Sequence, residues 1–188
     1  MDAAEVNKQI DHARELMDQS IEHLHKELKK ISTGKASTAM LDGVFVEYYG
    51  SPTPLNQVAN VSIADSRSLA IQPWEKNMLG PIEKAIFEAN LGVTPQNDGE
   101  MVRINIPPLT EDRRKDLVKK AKALGEEAKV SVRNARRDAM DSIKKAVKEG
   151  FPEDAGKSRE QEVQNLTDKH IETIDKTVEA KEKDIMTV

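Results

Sequence analysis

Four histidines, His12, His23, His25 and His170, are the chain's only imidazoles, and there is no cysteine. Without thiols, neither a disulfide framework nor a thiolate metal site can form. His23 and His25 are two residues apart, so on a helix they point in different directions and cannot share a metal ion. His170 falls on an apolar stripe, where a core or boundary histidine with its hydrogen bonds satisfied is expected. No glycine-rich phosphate loop, zinc-ligand spacing or nucleophile elbow occurs. The carboxylates sit on helix faces that water should solvate. The residues therefore offer no catalytic set, no metal site and no cofactor, and the chain is read as a non-enzyme.

The cations are distributed more tellingly. Net charge is -4. Residues 110–150 nevertheless hold 13 Lys or Arg against 8 Asp or Glu, and the rest of the chain holds 16 against 25. Such asymmetry suggests a basic working face on an acidic body. On a helical wheel Lys122, Lys129, Arg133 and Arg136 fall within about 60° of one another, beside the apolar stripe, with Arg137 next to them. One reading is a solubilising face with i,i+4 pairs such as Arg137 with Asp141. The other is RNA backbone, because guanidinium forks match phosphate geometry, and the clustering of five of the nine arginines in this segment favours it. Aromatics are scarce on the helical segments, so recognition of folded RNA shape is expected rather than base stacking.

These side chains need long helices to hold them. Val6, Ile10, Ala13, Met17, Ile21, Leu24, Leu28 and Ile31 recur at steps of three and four, the pattern of one apolar helix face ending at Gly34. Thr110 is a candidate N-cap for a second stripe: Leu117, Ala121, Leu124, Ala128, Val132, Ala135, Ala139, Ile143 and Val147, stopped by Gly150 and Pro152. A third runs through Val163, Leu166, His170, Ile174, Val178 and Ile185. Gly125 interrupts the second stripe's chemistry, and nothing in the sequence accounts for it. Three such stripes bury one another as an elongated antiparallel three-helix bundle. A homodimeric coiled coil is the alternative. The proline-rich middle and the 151–157 turn favour a chain folded back on itself, hence a monomer.

Seven of the eight prolines and five of the six aromatics lie within 45–108. Val44–Tyr49, Val61–Ile63, Leu69–Ile71 and Met101–Ile106 read as strands, with a hairpin across Asp65-Ser66-Arg67-Ser68 and a turn at Asp98-Gly99. Pro81–Asn90 reads as a short helix capped by Gly92. The fold class is thus α+β and multidomain: a discontinuous bundle, 1–31 and 107–188, with a small β/α/β domain, 32–106, inserted. Ser32, Thr33 and Gly34 going out, and Ile106, Pro107 and Pro108 coming back, form the expected hinge. Met1 to Gln9 is polar, and no run approaches the roughly 20 apolar residues of a membrane span. We expect a soluble cytoplasmic protein without membrane contact.

At this point the sequence resembles a known family. Thr33-Gly34-Lys35-Ala36-Ser37, Leu41-Asp42-Gly43, Val46-Glu47-Tyr48-Tyr49-Gly50 and Pro52-Thr53-Pro54-Leu55 are similar, in order, to signature segments of bacterial ribosome recycling factors. So are Pro107-Pro108-Leu109-Thr110-Glu111-Asp112-Arg113-Arg114 and Val132-Arg133-Asn134-Ala135-Arg136-Arg137-Asp138. The resemblance spans almost the whole chain. It implies a rod-like three-helix bundle carrying a small mobile domain, with an outline like transfer RNA. It implies binding to ribosomal RNA of the large subunit after termination, and splitting of the ribosome with elongation factor G and GTP. Arg133 maps onto the centre of the family's RNA contact, with Lys129, Arg136 and Arg137 around it. The chain departs from the family where Ser32 and Lys35 stand in place of frequent arginines. A general helical RNA-binding or chaperone-like adaptor is the alternative function.

Overall fold

A computed structural model of the chain describes residues 2–187. Met1 and Val188, the outermost residues of the expected bundle segments, lie outside the described residues. The chain divides into two compact units, Met1–Ile31 with Arg114–Val188, and Ser32–Arg113.

The first unit consists of α1 (Ala3–Lys29), α3 (Glu111–Lys148, whose first residues belong to the other unit) and α4 (Glu153–Met186). A capping box starts α1: Asp2 Oδ1 accepts from the Glu5 amide and Glu5 Oε2 from the Asp2 amide, both at 2.9 Å. Thr110 is the N-cap of α3, its Oγ1 accepting from the Arg113 amide at 3.1 Å. A Schellman arrangement ends that helix, with Phe151 N donating to Ala146 O and Gly150 N to Val147 O. α3 runs against both of its neighbours, as Val6, Ile10 and Ala13 meeting Ala139, Ile143 and Ala146 shows. α1 and α4 run the same way.

The expected stripes are largely the buried ones, with instructive exceptions. Ile21, Leu124, Val147 and Leu166 are only half-buried, while Ala146 and Thr167 are buried. Thr167 can enter the core because its hydroxyl donates to Val163 O at 2.8 Å. His170, 9% exposed, has Nδ1 2.7 Å from Leu166 O and Nε2 2.7 Å from Asp18 Oδ1, so it is a satisfied boundary histidine. Gly125 now has a reason. A Cβ there would sit 2.6 Å from Val178 Cγ2, so α3 and α4 approach too closely for any side chain. Gly156, 2.5 Å by the same measure from Val147 Cγ2, repeats the device near the α3–α4 turn.

The second unit pairs a two-stranded ribbon, β1 (Phe45–Tyr48) with β2 (Ser51–Pro54), with an antiparallel sheet in the order β3-β4-β6-β5. Its strands are β3 (Ala59–Asp65), β4 (Ser68–Pro73), β5 (Pro95–Asn97) and β6 (Val102–Asn105). The helix α2 (Leu79–Glu88) packs Leu79, Ile82 and Ile86 into a core with Val46, Leu69, Ile71, Val102 and Ile104. β2 and β5 were not expected. Both contain proline, which cannot donate to a ladder; Pro95 opens β5 and both strands are at edges, where proline is tolerated. Asn90, at φ +52°, rather than Gly92 alone, turns the chain out of α2.

The expected boundary at Ile106 moves to Arg113. Ala36 N donates to Ser66 O at 2.8 Å and Ile106 N to Arg67 O at 2.7 Å, so both connections are fastened to one β3–β4 turn. Gly34, at φ +75°, then leaves room for Leu109, whose Cγ would lie 3.1 Å from a Cβ at that position. Residues 107–113 therefore belong with the small unit.

Candidate nucleic-acid interface

α3 carries the five predicted cations, and the packing of α4 against it separates them into two kinds. Val132 is fully buried, so the backbone on either side is held by the bundle. Arg133 follows it and is exposed, as are Lys122 and Arg137. None of the three forms an ion pair or side-chain hydrogen bond among the described residues, and the Arg137–Asp141 pair is not made. From Lys122 to Arg137 this free face extends about 22 Å along the helix axis.

Lys129 and Arg136 are placed differently. Lys129 Nζ lies 2.5 Å from Asp175 Oδ1 on α4 and 3.5 Å from Glu126 Oε1, with only 16% of its side chain exposed. The hydrogen bond to Asp175 raises its pKa above the ordinary lysine value despite some desolvation. Arg136 is half-buried, with Nη1 3.4 Å from Gln164 Oε1 of α4. These two side chains clip α3 to α4, and Lys129's charge is already answered. The cations that remain open are Arg133, Arg137 and Lys122.

Asp175 and Gln164 were beyond reach of a wheel drawn for α3 alone, because they come from α4. Lys119 and Lys144 were not. Both are exposed and lie within about 60° of Lys122, so the same wheel continued by one turn before Lys122 and two beyond Arg137 would have included them. Such a face can do one thing chemically: donate charge-assisted hydrogen bonds to an anionic surface.

The residues expected at the hinge all fall within the small unit. Ser32 Oγ accepts from Gly34 N at 3.3 Å, Ile106 is buried, and Pro107 and Pro108 are exposed. Among the described residues, no three of the potential metal-ligating side chains come together, and no helix is long and apolar enough to cross a membrane.

Known proteins give the same account of the fold. A family model described as "Ribosome recycling factor" matches residues 24–186. A ribosome-recycling factor of Phocaeicola vulgatus is 53% identical over 95% of this chain and 96% of its own length. That of Flavobacterium johnsoniae is 53% identical over 98% of each. Among solved structures, the solution structure of a ribosome recycling factor is 40% identical, covers both chains completely and has a TM-score of 0.85. A second structural match is 44% identical, covers 97% of this chain and 99% of its own, and has a TM-score of 0.65. It comes from models of the T. thermophilus ribosome recycling factor and E. coli elongation factor G bound to the E. coli post-termination complex. The chain belongs to the ribosome recycling factor family, whose members are non-enzymatic translation factors.

Proposed function

We propose that this protein binds the large ribosomal subunit in the cytoplasm after termination and, with elongation factor G and GTP, splits the post-termination complex. The single observation that carries the reading is the unpaired, exposed row Lys122, Arg133 and Arg137 on a helix whose other side is locked in a bundle core. Phosphate oxygens of ribosomal RNA are the chemistry that row fits, and side chains held by a rigid helix lose little freedom on contact. Lys129 and Arg136 support the row from beneath. The protein acts as a monomer, since the apolar stripes of α1, α3 and α4 face one another within one chain.

The small unit is the part that moves. Ser32, Thr33 and Gly34 on one side and Ile106, Pro107 and Pro108 on the other lead to it. We take the bending to lie in these two connections, outside the first turn of α3 that Thr110 caps. Motion of the unit under elongation factor G while the bundle stays on the RNA would couple binding to splitting.

Sucrose-gradient sedimentation of post-termination ribosomes tests the reading. Subunits should separate only when the protein, elongation factor G and GTP are all present. RNA binding without splitting would instead make the protein a general RNA-binding adaptor.

A further inference from the structure

The α1–α4 side of the bundle carries a second cationic feature that the α3 row does not use. A groove of about 420 Å³ opens between the C-terminal halves of these two helices. His25 and Lys29 of α1 line it with Lys176, Thr177 and Lys181 of α4, and Asp184 is the only carboxylate among its lining residues. It lies on the opposite side of α4 from the first interface: Asp175 and Gln164, which hold Lys129 and Arg136, face α3, whereas Thr177 and Lys181 line the groove with α1.

Lys181 is the informative residue. It is half-buried and makes no ion pair among the described residues. Burial pulls its pKa below the ordinary lysine value, and Asp184 offsets only part of that. Lys29 is exposed and likewise unpaired. Lys176 is held by Glu172 at 2.9 Å, but both partners are largely exposed, so the pair contributes little and is readily given up. The negative end of the α1 dipole explains a lysine in that helix's last turn, where Lys29 stands. It does not explain an ammonium more than a turn from the end of α4, half withdrawn from water, with Asp184 answering only part of its charge. An anion in the groove would answer that charge.

We propose that this groove is a second phosphate-binding site, taking the phosphodiester backbone of a folded RNA against Lys29, Lys176 and Lys181. RNA as the source of the phosphate rests on the function proposed above; the anionic ligand does not. Lysines act on phosphate as point charges and need no planar partner. Three lysines against one carboxylate give the groove the charge complement of a phosphodiester backbone, whose negative charges repeat along its length.

The test measures binding of the full chain to large ribosomal subunits over a salt series. Lys181→Met keeps the apolar stem and removes the charge; Lys29→Gln is an exposed change that leaves the core alone; Arg133→Ala serves as the reference for the other face. Each groove variant should weaken binding by about tenfold and lower the slope of log affinity against log salt by about one. Lys181→Met should not lower the melting temperature, since it relieves the desolvation of a half-buried charge. Full affinity and an unchanged slope in both groove variants, with Arg133→Ala weakened, would overturn the site and leave the ribosome reading intact. Weakening by the groove variants with none from Arg133→Ala would keep the groove and remove the α3 row. Two further results would also overturn the assignment. One is saturable amide shifts at Thr177 and Lys181 with inorganic phosphate, without any effect of the variants on subunit binding. The other is unchanged subunit binding with lost factor-dependent splitting, which would give the groove to a protein carboxylate.

Discussion

In the bundle, α3 turns mostly small residues inward, Ala121, Gly125, Ala128, Ala135, Ala139 and Ala146, against the larger Ile10, Met17 and Leu24 of α1 and Ile174 and Ile185 of α4. In the small unit, by contrast, Leu69, Ile71, Met78, Ile82, Ile86 and Ile104 fill the space between one sheet and one helix. The aromatics there turn outward, with Tyr49, Trp74 and Phe87 each at least 65% exposed. Small residues let helices approach closely, so the bundle's backbone is fixed at short range and its outer faces are left free for charge. The small unit has a conventional core of branched side chains. Its turns are held by polar bonds, such as Asp65 Oδ1 accepting from the Arg67 amide and Asp98 Oδ1 from the Met101 amide. A rigid charged rod and a turn-rich partner suit anchoring and movement respectively.

The contrast can be broken most forcefully in the cores. Ile143 and Ile82 are both fully buried. Truncation of either to alanine should cost about 2–5 kcal/mol. If the units fold as separate bodies, calorimetry should show Ile82→Ala lowering one transition while the helical one stays in place. A single transition shifted alike by both would merge the units into one cooperative body.

Glycine sharpens it further, because the same substitution should change sign between units. Gly125→Ala would gain about 1 kcal/mol of helix propensity but force a Cβ onto Val178, a β-branched side chain with little rotamer freedom. Overpacking of that kind costs about 1–3 kcal/mol, so chemical denaturation should show a net loss. Gly80, near the start of α2, has no atom within 4 Å of where its Cβ would be. Gly80→Ala should stabilise by about 0.4–1 kcal/mol. A stabilising Gly125→Ala would mean that α3 and α4 are further apart than described.

Acid should separate the units by the smallest margin. The Met101 and Glu100 amides, with Arg103, hold the Asp98 carboxyl below its ordinary pKa. The Arg67 amide and Ser68 do the same for Asp65. Groups depressed in the folded state contribute stability above their unfolded pKa, and that contribution is lost as pH falls through the folded value. Both turns belong to the small unit. Amide exchange at 65–68 and 98–101 should therefore accelerate on acidification before that of the bundle's core helices, and the Asp98→Asn variant should lose most of the effect at its own turn.

How much of this could be read beforehand follows the same division. A 3.6-residue period needs only local sequence, so the bundle stripes and the basic row were legible. The period could not say that Ala146 is fully buried while Val147, seated over Gly156 of α4, stays half-buried. Nor could it say that Thr167 hides its hydroxyl on its own helix. In the small unit, β2 and β5 carry Pro52, Pro54 and Pro95, and only their edge positions, which a local pattern does not show, permit strands there. The candidate site was legible as a set of cations. Its division into tied and free members was not, since Asp175 and Gln164 reach Lys129 and Arg136 from α4 across the fold.

That division leads to the decisive measurement, a paired determination of large-subunit affinity and melting temperature for Arg133→Ala, with Arg133→Lys and Lys129→Ala beside it. Removing a charge-assisted phosphate contact costs about 1.5–3 kcal/mol, or roughly ten- to a hundredfold in affinity. An exposed, unpaired side chain contributes within about 0.5 kcal/mol to folding, a shift of about 1–2 °C. Arg133→Ala should therefore bind ten- to a hundredfold more weakly with its melting temperature nearly unchanged. Arg133→Lys should recover part of the loss. Lys129→Ala should weaken binding less than Arg133→Ala while losing more stability. Unchanged binding in Arg133→Ala, or a large fall in its melting temperature, would contradict the placement of the RNA contact on the free face of α3.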